Sequence, residues 1–370
     1  MTATEPTLEL ERIVSLDAFE AIAAERMDRG TYDYVAGGAW DEISLREAPE
    51  AWRRRRLRPR VLVDVAHVDP STTMLGARTA LPVAIAPMAA QGLAHPDAEC
   101  AMARAAAAAG VPIVVSTMST ASLEAVAAAA PDATRWFQLY PQADPARSRS
   151  LVERAEAAGY GAIVVTVDLP TLGYRERDLR TGFNLSVPLG NFADEPPTHA
   201  SHGSHGSPDG TSGFEILTED LDRGLEWRDL AAMRSWTSLP IVLKGILTAD
   251  DARIAVEAGV AGIIVSSHGA RQLDRVVATA DALEPIVAAV GGRTEIWVDG
   301  GIRRGLDVVT ALALGARGVL VGRPMYWALA AAGQAGVERA LAILRTETVI
   351  AMTLLGARRP EDIVRDHVAG

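Results

Sequence analysis

The chain of 370 residues is short of several residue types, and each shortage narrows what it can be. Its one cysteine, Cys100, rules out an intrachain disulfide, so an oxidising compartment is not required and the cytoplasm is the expected location. No run of about 18 uncharged apolar residues occurs, and residues 1–11 carry acids without an apolar core, so neither a membrane span nor a signal peptide is expected. Positive charge is limited: 36 basic against 47 acidic residues leave a formal net charge of −11, and Arg53–Arg56 is the only dense basic stretch. Binding nucleic acid needs a basic face, so no such partner is expected. The patterns Gly-x-Gly-x-x-Gly after a strand and Gly-x4-Gly-Lys-Ser/Thr are absent, which leaves a dinucleotide or nucleoside triphosphate site without support. Lysine is scarcest of all, with Lys244 the sole example.

What the chain does hold is apolar and periodic. Hydrophobic residues make up 49% of it and charged ones 22%, enough for a large core. Eight short apolar runs alternate with helix-period segments: Pro82–Ala86, Pro112–Ser116, Arg135–Leu139, Ala162–Thr166, Pro240–Lys244, Ala261–Val265, Glu295–Val298 and Gly318–Val321. Helices are expected at Asp97–Ala109, Leu123–Ala130, Ser148–Ala158, Asp250–Ala258, Leu306–Leu314 and Gly336–Leu354. Strand and helix pairs repeated eight times predict an α/β fold, a closed (β/α)8 TIM barrel, as one domain spanning residues 1–370. Residues 1–80, with helices at Leu16–Asp28 and Asp41–Trp52 and a short segment Thr73–Leu75, form an N-terminal cap. A long insertion follows strand 4 at residues 182–226. Its centre, Glu195–Gly213, is rich in Gly, Ser, Pro and His and predicts a mobile loop over the active site. His199, His202 and His205 are spaced like ligands, but such a tract lacks the supporting contacts that fix a metal, so none is expected.

Barrels place their chemistry at the carboxyl ends of the strands, and these ends are polar. Lys244 closes one run, and a compact ammonium suits the edge of an electron-accepting ring. The loops Gly300-Gly301-Ile302-Arg303 and Gly322-Arg323 join close backbone approach to bidentate charge, which predicts a phosphate on the cofactor. His268 near Asp168 makes a base held by a carboxylate. Arg175 and Arg271 would clamp a small carboxylate substrate.

At Tyr32-Asp33-Tyr34, Phe137-Gln138-Leu139-Tyr140, Thr166-Val167-Asp168, Leu172-Gly173-Tyr174-Arg175, Leu243-Lys244-Gly245, His268-Gly269-Ala270-Arg271-Gln272-Leu273-Asp274, Asp299-Gly300-Gly301-Ile302-Arg303-Arg304-Gly305 and Gly322-Arg323-Pro324, the chain resembles the FMN-dependent 2-hydroxy acid oxidases and dehydrogenases, a group that includes glycolate, lactate and mandelate enzymes. The resemblance runs from about residue 15 to 365. It implies FMN as cofactor and oxidation of an L-2-hydroxy acid to the 2-keto acid, with O2 the expected acceptor giving H2O2. By position it implies Tyr34, Arg175 and Arg271 on the substrate carboxylate, Tyr140 on its hydroxyl, and His268 as base oriented by Asp168. Lys244 would face N1 and O2 of the flavin. Ser116, Gln138, Thr166, Ser266 and the segment Ala86-Pro87-Met88-Ala89 would hold the ring. Asp299, Gly300, Gly301, Arg303, Gly322 and Arg323 complete the cofactor set, the last three around the phosphate. A homotetramer is implied as well.

Three positions depart from the family pattern. Met118 replaces a frequent aromatic and would admit a bulkier substrate side chain. Ser267 stands where Asn commonly precedes the histidine, and Trp40 where an acid is frequent. The same site could serve a quinone- or protein-linked dehydrogenase, a decarboxylating monooxygenase or, more remotely, a non-catalytic sensor. A barrel using a nucleophilic loop cysteine is disfavoured, because Cys100 sits in an Ala-rich helix.

Overall fold

A computed structural model describes residues 9–193 and 220–369. The centre of the insertion, with His199, His202 and His205, lies outside the described residues. Eight strands form the barrel: β1 Val83–Ile85, β2 Ile113–Ser116, β3 Arg135–Leu139, β4 Ile163–Thr166, β5 Ile241–Ile246, β6 Gly262–Val265, β7 Glu295–Val298 and β8 Gly318–Val321. Each pairs in parallel with its sequence neighbours, and β8 pairs with β1 to close the ring. Every predicted run is a strand; three coincide at both ends and the other five differ by one or two residues.

Alternation along the strands divides two cores. Ala84, Val114, Trp136, Val164, Val242, Ile264, Trp297 and Leu320 fill the barrel interior, and the intervening residues bury against the helices. The rings of Trp136 and Trp297 lie 5.4 Å apart, so two large side chains occupy most of the lumen. Gly262 makes room for one of them, since a Cβ there would stand 2.1 Å from the Trp297 ring. Met74, from the hairpin Thr72–Met74 and Ala77–Thr79, packs into the same interior cluster. The barrel is therefore a packed core, and only its carboxyl end is left to chemistry.

The helices are α1 Asp17–Arg26, α2 Arg29–Ala36, α3 Ile43–Arg53, α4 Ala98–Ala109, α5 Leu123–Ala129, α6 Pro145–Ala157, α7 Glu176–Thr181, α8 Asp229–Arg234, α9 Ala249–Glu257, α10 Thr279–Val290, α11 Gly305–Ala313 and α12 Arg323–Leu355. Side-chain oxygens of Ser122, Asp144 and Thr248 accept first-turn amides, which starts α5, α6 and α9. α12 begins 13 residues before its expected start at Gly336, because Pro324 suits a first turn and the break at Ala332 and Gly333 interrupts the helix without ending it. α2, α7, α8 and α10 have no expected counterpart; Gly30 and the internal Pro285 disguise α2 and α10, and α7 and α8 are only six residues long.

The N-terminal helices cover the carboxyl end. The indole of Trp52 on α3 donates to Gly300 O at 2.8 Å, and the Ser44 amide to Asp274 at 2.8 Å. This docking brings α2, with Tyr34, over the barrel mouth. No helix among the described residues is long and apolar enough to cross a membrane.

Candidate active site

A pocket of about 1140 Å³ opens at the carboxyl end of the barrel. Its floor comes from β4 and β5. Lys244, nearly buried, donates to Ser266 Oγ at 2.9 Å and lies 3.4 Å from Asp299 Oδ2. Thr166 receives the Gln138 amide at 3.0 Å, and Gln138 in turn accepts from the Ser116 hydroxyl at 3.1 Å. Ser116, Gln138 and Ser266 thus stand behind the pocket wall and hold its lining, while the other predicted cofactor residues face the pocket. In the Ala86–Ala89 segment the Ala86 amide is spent on Val321 O at 3.0 Å and Pro87 has none, which leaves Met88 and Ala89 as its backbone donors.

His268 sits where β6 turns out of the barrel. His268, Gly269 and Ala270 all have positive φ, 57°, 62° and 60°, a conformation that costs free energy outside glycine and is held by the surrounding contacts. The turn aims the ring inward. Nδ1 lies 2.8 Å from Asp168 Oδ1, and Nε2 lies 3.2 Å from the Tyr140 hydroxyl. An ionised Asp168 fixes the proton on Nδ1, so the Nε2 lone pair faces the pocket. Burial pushes the His268 pKa down; Asp168 opposes this only in part, and Lys244 adds to it. Burial alone would raise Asp168, but His268 and Lys244 outweigh it and hold the carboxyl below its usual range. Burial also raises the Tyr140 phenol far above its ordinary value, keeping it protonated. The imidazole is neutral at pH 7 and ready to accept a proton.

Four arginines surround the base. Arg175 Nε donates to Arg271 O at 3.2 Å, while the Arg271 guanidinium lies 4.8 Å over the Tyr34 ring and donates to Gly37 O at 3.0 Å. Arg323 donates to Val35 O at 2.8 Å, Gly269 O at 2.9 Å and Gly37 O at 2.8 Å. Arg303 lies 3.5 Å from Asp17. Burial, reinforced by Arg271, brings Arg175 down to about 9, and burial with the neighbouring arginines drives Arg323 well below its ordinary value. Such crowding of buried cations calls for anions.

The arrangement fits FMN. Gly322, Arg303 and Arg323 line one end of the pocket, and at the start of α12 Pro324 has no amide and the Met325 amide is spent on Gly322 O at 2.8 Å, which leaves the Arg323 amide beside the two guanidinium groups as a site for a phosphate. Lys244 would meet the electron-rich edge of the ring. Arg175 and Arg271, on the other side of His268, remain for a carboxylate.

The third wall is apolar, and its residues were not legible in the sequence apart from Met118. Met118, Leu169 and Leu221 form one buried cluster. Both flanks of the insertion are tied down beside it. Asn191 donates to Thr117 O at 2.9 Å and accepts the Leu123 amide at 2.8 Å. On the return, Leu221 pairs with Gln142 in an isolated bridge, with Ala143 N donating to Asp220 O at 2.7 Å and Asp222 N to Pro141 O at 2.9 Å. These flanks lie on either side of Glu195–Gly213, the segment expected to be mobile. Glu99, fully buried in α4, was also missed: its carboxylate accepts from the amides of Gln91, Thr120 and Ala121, joining the loops after β1 and β2. Trp40 lies off the pocket, tilted against Tyr174 at 6.3 Å.

Comparisons with known proteins agree with this geometry. The family model described as FMN-dependent dehydrogenase matches residues 23–370. Glycolate oxidase 1 of Oryza sativa subsp. indica is 47% identical over 360 residues, covering 96% of this chain and 95% of that protein. An L-lactate oxidase of Nostoc sp. is 46% identical over 355 residues, covering 95% and 96%. A crystal structure of mandelate oxidase with (S)-4-hydroxymandelic acid superposes with a TM-score of 0.89 at 45% identity, covering 96% of this chain and 98% of that one.

Proposed function

The chain belongs to the FMN-dependent dehydrogenase family, and from that premise we propose that it oxidises L-2-hydroxy acids carrying an apolar side chain. The enzyme is an FMN-dependent 2-hydroxy acid oxidase with O2 as electron acceptor. The observation that carries the reading is the His268–Asp168 pair, 2.8 Å apart, set between a phosphate-type and a carboxylate-type pair of arginines.

In the proposed mechanism Arg175 and Arg271 bind the substrate carboxylate, with Tyr34 against Arg271 closing that side. Tyr140, protonated, donates to the substrate hydroxyl and positions it near His268 Nε2. His268 takes one proton as the acid becomes the 2-keto acid, and Asp168 stabilises the imidazolium that results. FMN, which Lys244, Arg303 and Arg323 would hold, would supply the acceptor for the two electrons and the second hydrogen, and O2 would take these up with the proton from His268 to give H2O2. Lys244 supplies positive charge at the pocket floor, and the packed lumen below excludes water. Met118, Leu169 and Leu221 face the substrate side chain and favour an apolar group over hydrogen.

We further propose a cytoplasmic homotetramer. Val61, Leu62, Ile350 and Leu354 are exposed apolar residues near the end of α12, where Arg60 N donates to Leu355 O, and they supply a face for self-association.

The test is the absorption spectrum of the purified protein during anaerobic addition of glycolate, L-lactate, a long-chain L-2-hydroxy acid and L-mandelate, followed by air. Bleaching of the yellow band by an acid with an apolar side chain, and quick recovery in air, are expected. A yellow protein that no 2-hydroxy acid bleaches would overturn the reading.

A further inference from the structure

We propose that Leu221 sets the length of the substrate side chain by closing the active-site pocket against a second chamber. This rests on the substrate class proposed above and deepens it. The second chamber, open to solvent on its outer side, lies between the loop after β4 and the outer end of β5. Four residues line both spaces: Tyr140, Thr166, Leu169 and Leu221. Thr166 holds Gln138 and Tyr140 faces His268, so neither can yield. Leu169 and Leu221 are the two apolar side chains at the boundary, 9% and 3% exposed, and they touch Met118 on the substrate side.

The partition is fixed at one edge. Leu221 is held by the two backbone hydrogen bonds that flank it, Ala143 N to Asp220 O and Asp222 N to Pro141 O, and by the Arg147–Asp220 ion pair at 3.0 Å. Its backbone is thereby anchored to the loop after β3 whatever the rest of the insertion does. Behind it the chamber is lined by the buried Leu230 and Leu243, the half-buried Leu225 and the exposed Trp227, with Asp222, Arg223, Glu226, Arg228 and Asp251 as its charged residues. The leucines nearest the partition, Leu225, Leu230 and Leu243, give a straight hydrocarbon chain an apolar surface to lie on. A substrate held by its carboxylate at Arg175 and Arg271 would point its side chain at Met118, and a long one would next meet the leucine pair.

The distinction lies in how specificity depends on chain length. Each methylene that leaves water for such a chamber strengthens binding about fourfold. In the parent enzyme kcat/KM across the L-2-hydroxy acids of four, six, eight and ten carbons should level off once the chain reaches the leucines. In Leu221→Ala it should keep rising, so that the ratio of the eight-carbon to the four-carbon acid increases more than tenfold. Leu169→Ala, across the partition, should shift the ratio the same way, and Leu221→Val by a smaller step. Leu225→Trp in the Leu221→Ala background should take the gain back by filling the chamber.

A parallel series of straight-chain carboxylates without the hydroxyl, titrated against the flavin absorption of each variant, reads the same length dependence without turnover. If the parent oxidised no 2-hydroxy acid yet the carboxylates showed the extended slope in Leu221→Ala, the function reading would fail and the partition would stand. If chain-length ratios in both series stayed within twofold of the parent in Leu221→Ala, Leu221→Val and Leu169→Ala, the partition would be refuted.

Discussion

Replacing Asp168 by Asn separates charge from shape at the centre of the site. The two side chains are nearly isosteric, and Asp168 is packed so closely on Gly245 that a Cβ there would lie 2.6 Å away, so little but asparagine fits. Asp168 lies outside the pocket lining, so FMN content should be unchanged. What is lost is the attraction between the carboxylate and the imidazolium that forms as His268 takes its proton. At 2.8 Å and an effective dielectric near 20, two unit charges attract by about 6 kcal/mol, an upper bound. The amide oxygen recovers a hydrogen bond, and the difference between a charged and a neutral partner is roughly 2 kcal/mol. Between these limits the expected loss is about 3 kcal/mol, or on the order of 10²-fold in the rate of flavin reduction. Anaerobic stopped-flow bleaching at saturating substrate measures it directly. The pH profile adds a second reading with a definite sign. His268 must be neutral to act, and burial already holds its pKa below the usual 6.5, so the parent's rate should be flat at neutral pH and fall only in acid. Asp168 is the chief group pulling that pKa upward, so in Asp168→Asn the acid limb should move to still lower pH while the plateau drops. A plateau within threefold of the parent, or an acid limb shifted upward, would refute the charge-stabilisation argument.

Arg323→Met should weaken FMN by about 10- to 100-fold, the worth of charge-assisted bonds to a phosphate, while leaving riboflavin affinity nearly unchanged; fluorescence titration with both flavins decides it, and an unaltered FMN-to-riboflavin ratio would displace the phosphate from this site. Gly245→Ala should slow reduction at least tenfold and lower the melting temperature, because φ is +114° there and the new Cβ would press on Asp168; a variant with parental kinetics would show that the contact does not position the carboxylate. Protein stripped of FMN should gain thermal stability from inorganic phosphate or sulfate, by about 2.7 kcal/mol at a hundred times the dissociation constant, because an anion relieves the crowded arginines. Differential scanning calorimetry with chloride as control checks this, and equal melting temperatures in all three salts would mean that the arginines are not short of an anion.

The barrel was legible because most of its strands are short apolar runs rich in Val and Ile with Gly or Pro close by, and none of the eight was misplaced. Which residues faced the lumen was not, since strands buried on both faces carry no polar alternation. The polar half of the site was legible for a related reason: His268, Asp168, Lys244 and the arginines are conspicuous when they follow apolar runs. Leu169 and Leu221 carry no such contrast in a chain that is 49% hydrophobic. Glu99 looked like any acid on an Ala-rich helix, because the backbone amides it satisfies come from loops 8, 21 and 22 positions away. Helix α2, short and interrupted by Gly30, gives a weak periodic signal, although it carries Tyr34 and the Gly37 carbonyl shared by Arg271 and Arg323.

The solitary lysine has a chemical consequence for anyone handling this protein. Reagents that acylate amines usually scatter over a protein's surface, but here the only ε-amino group lies 5% exposed at the bottom of the flavin pocket. A bound flavin would stand directly over it. Side-chain acylation therefore becomes a readout of cofactor occupancy, all or none at one position, and a dye or support coupled to the holoenzyme through side-chain amines would find nothing on the outside to hold.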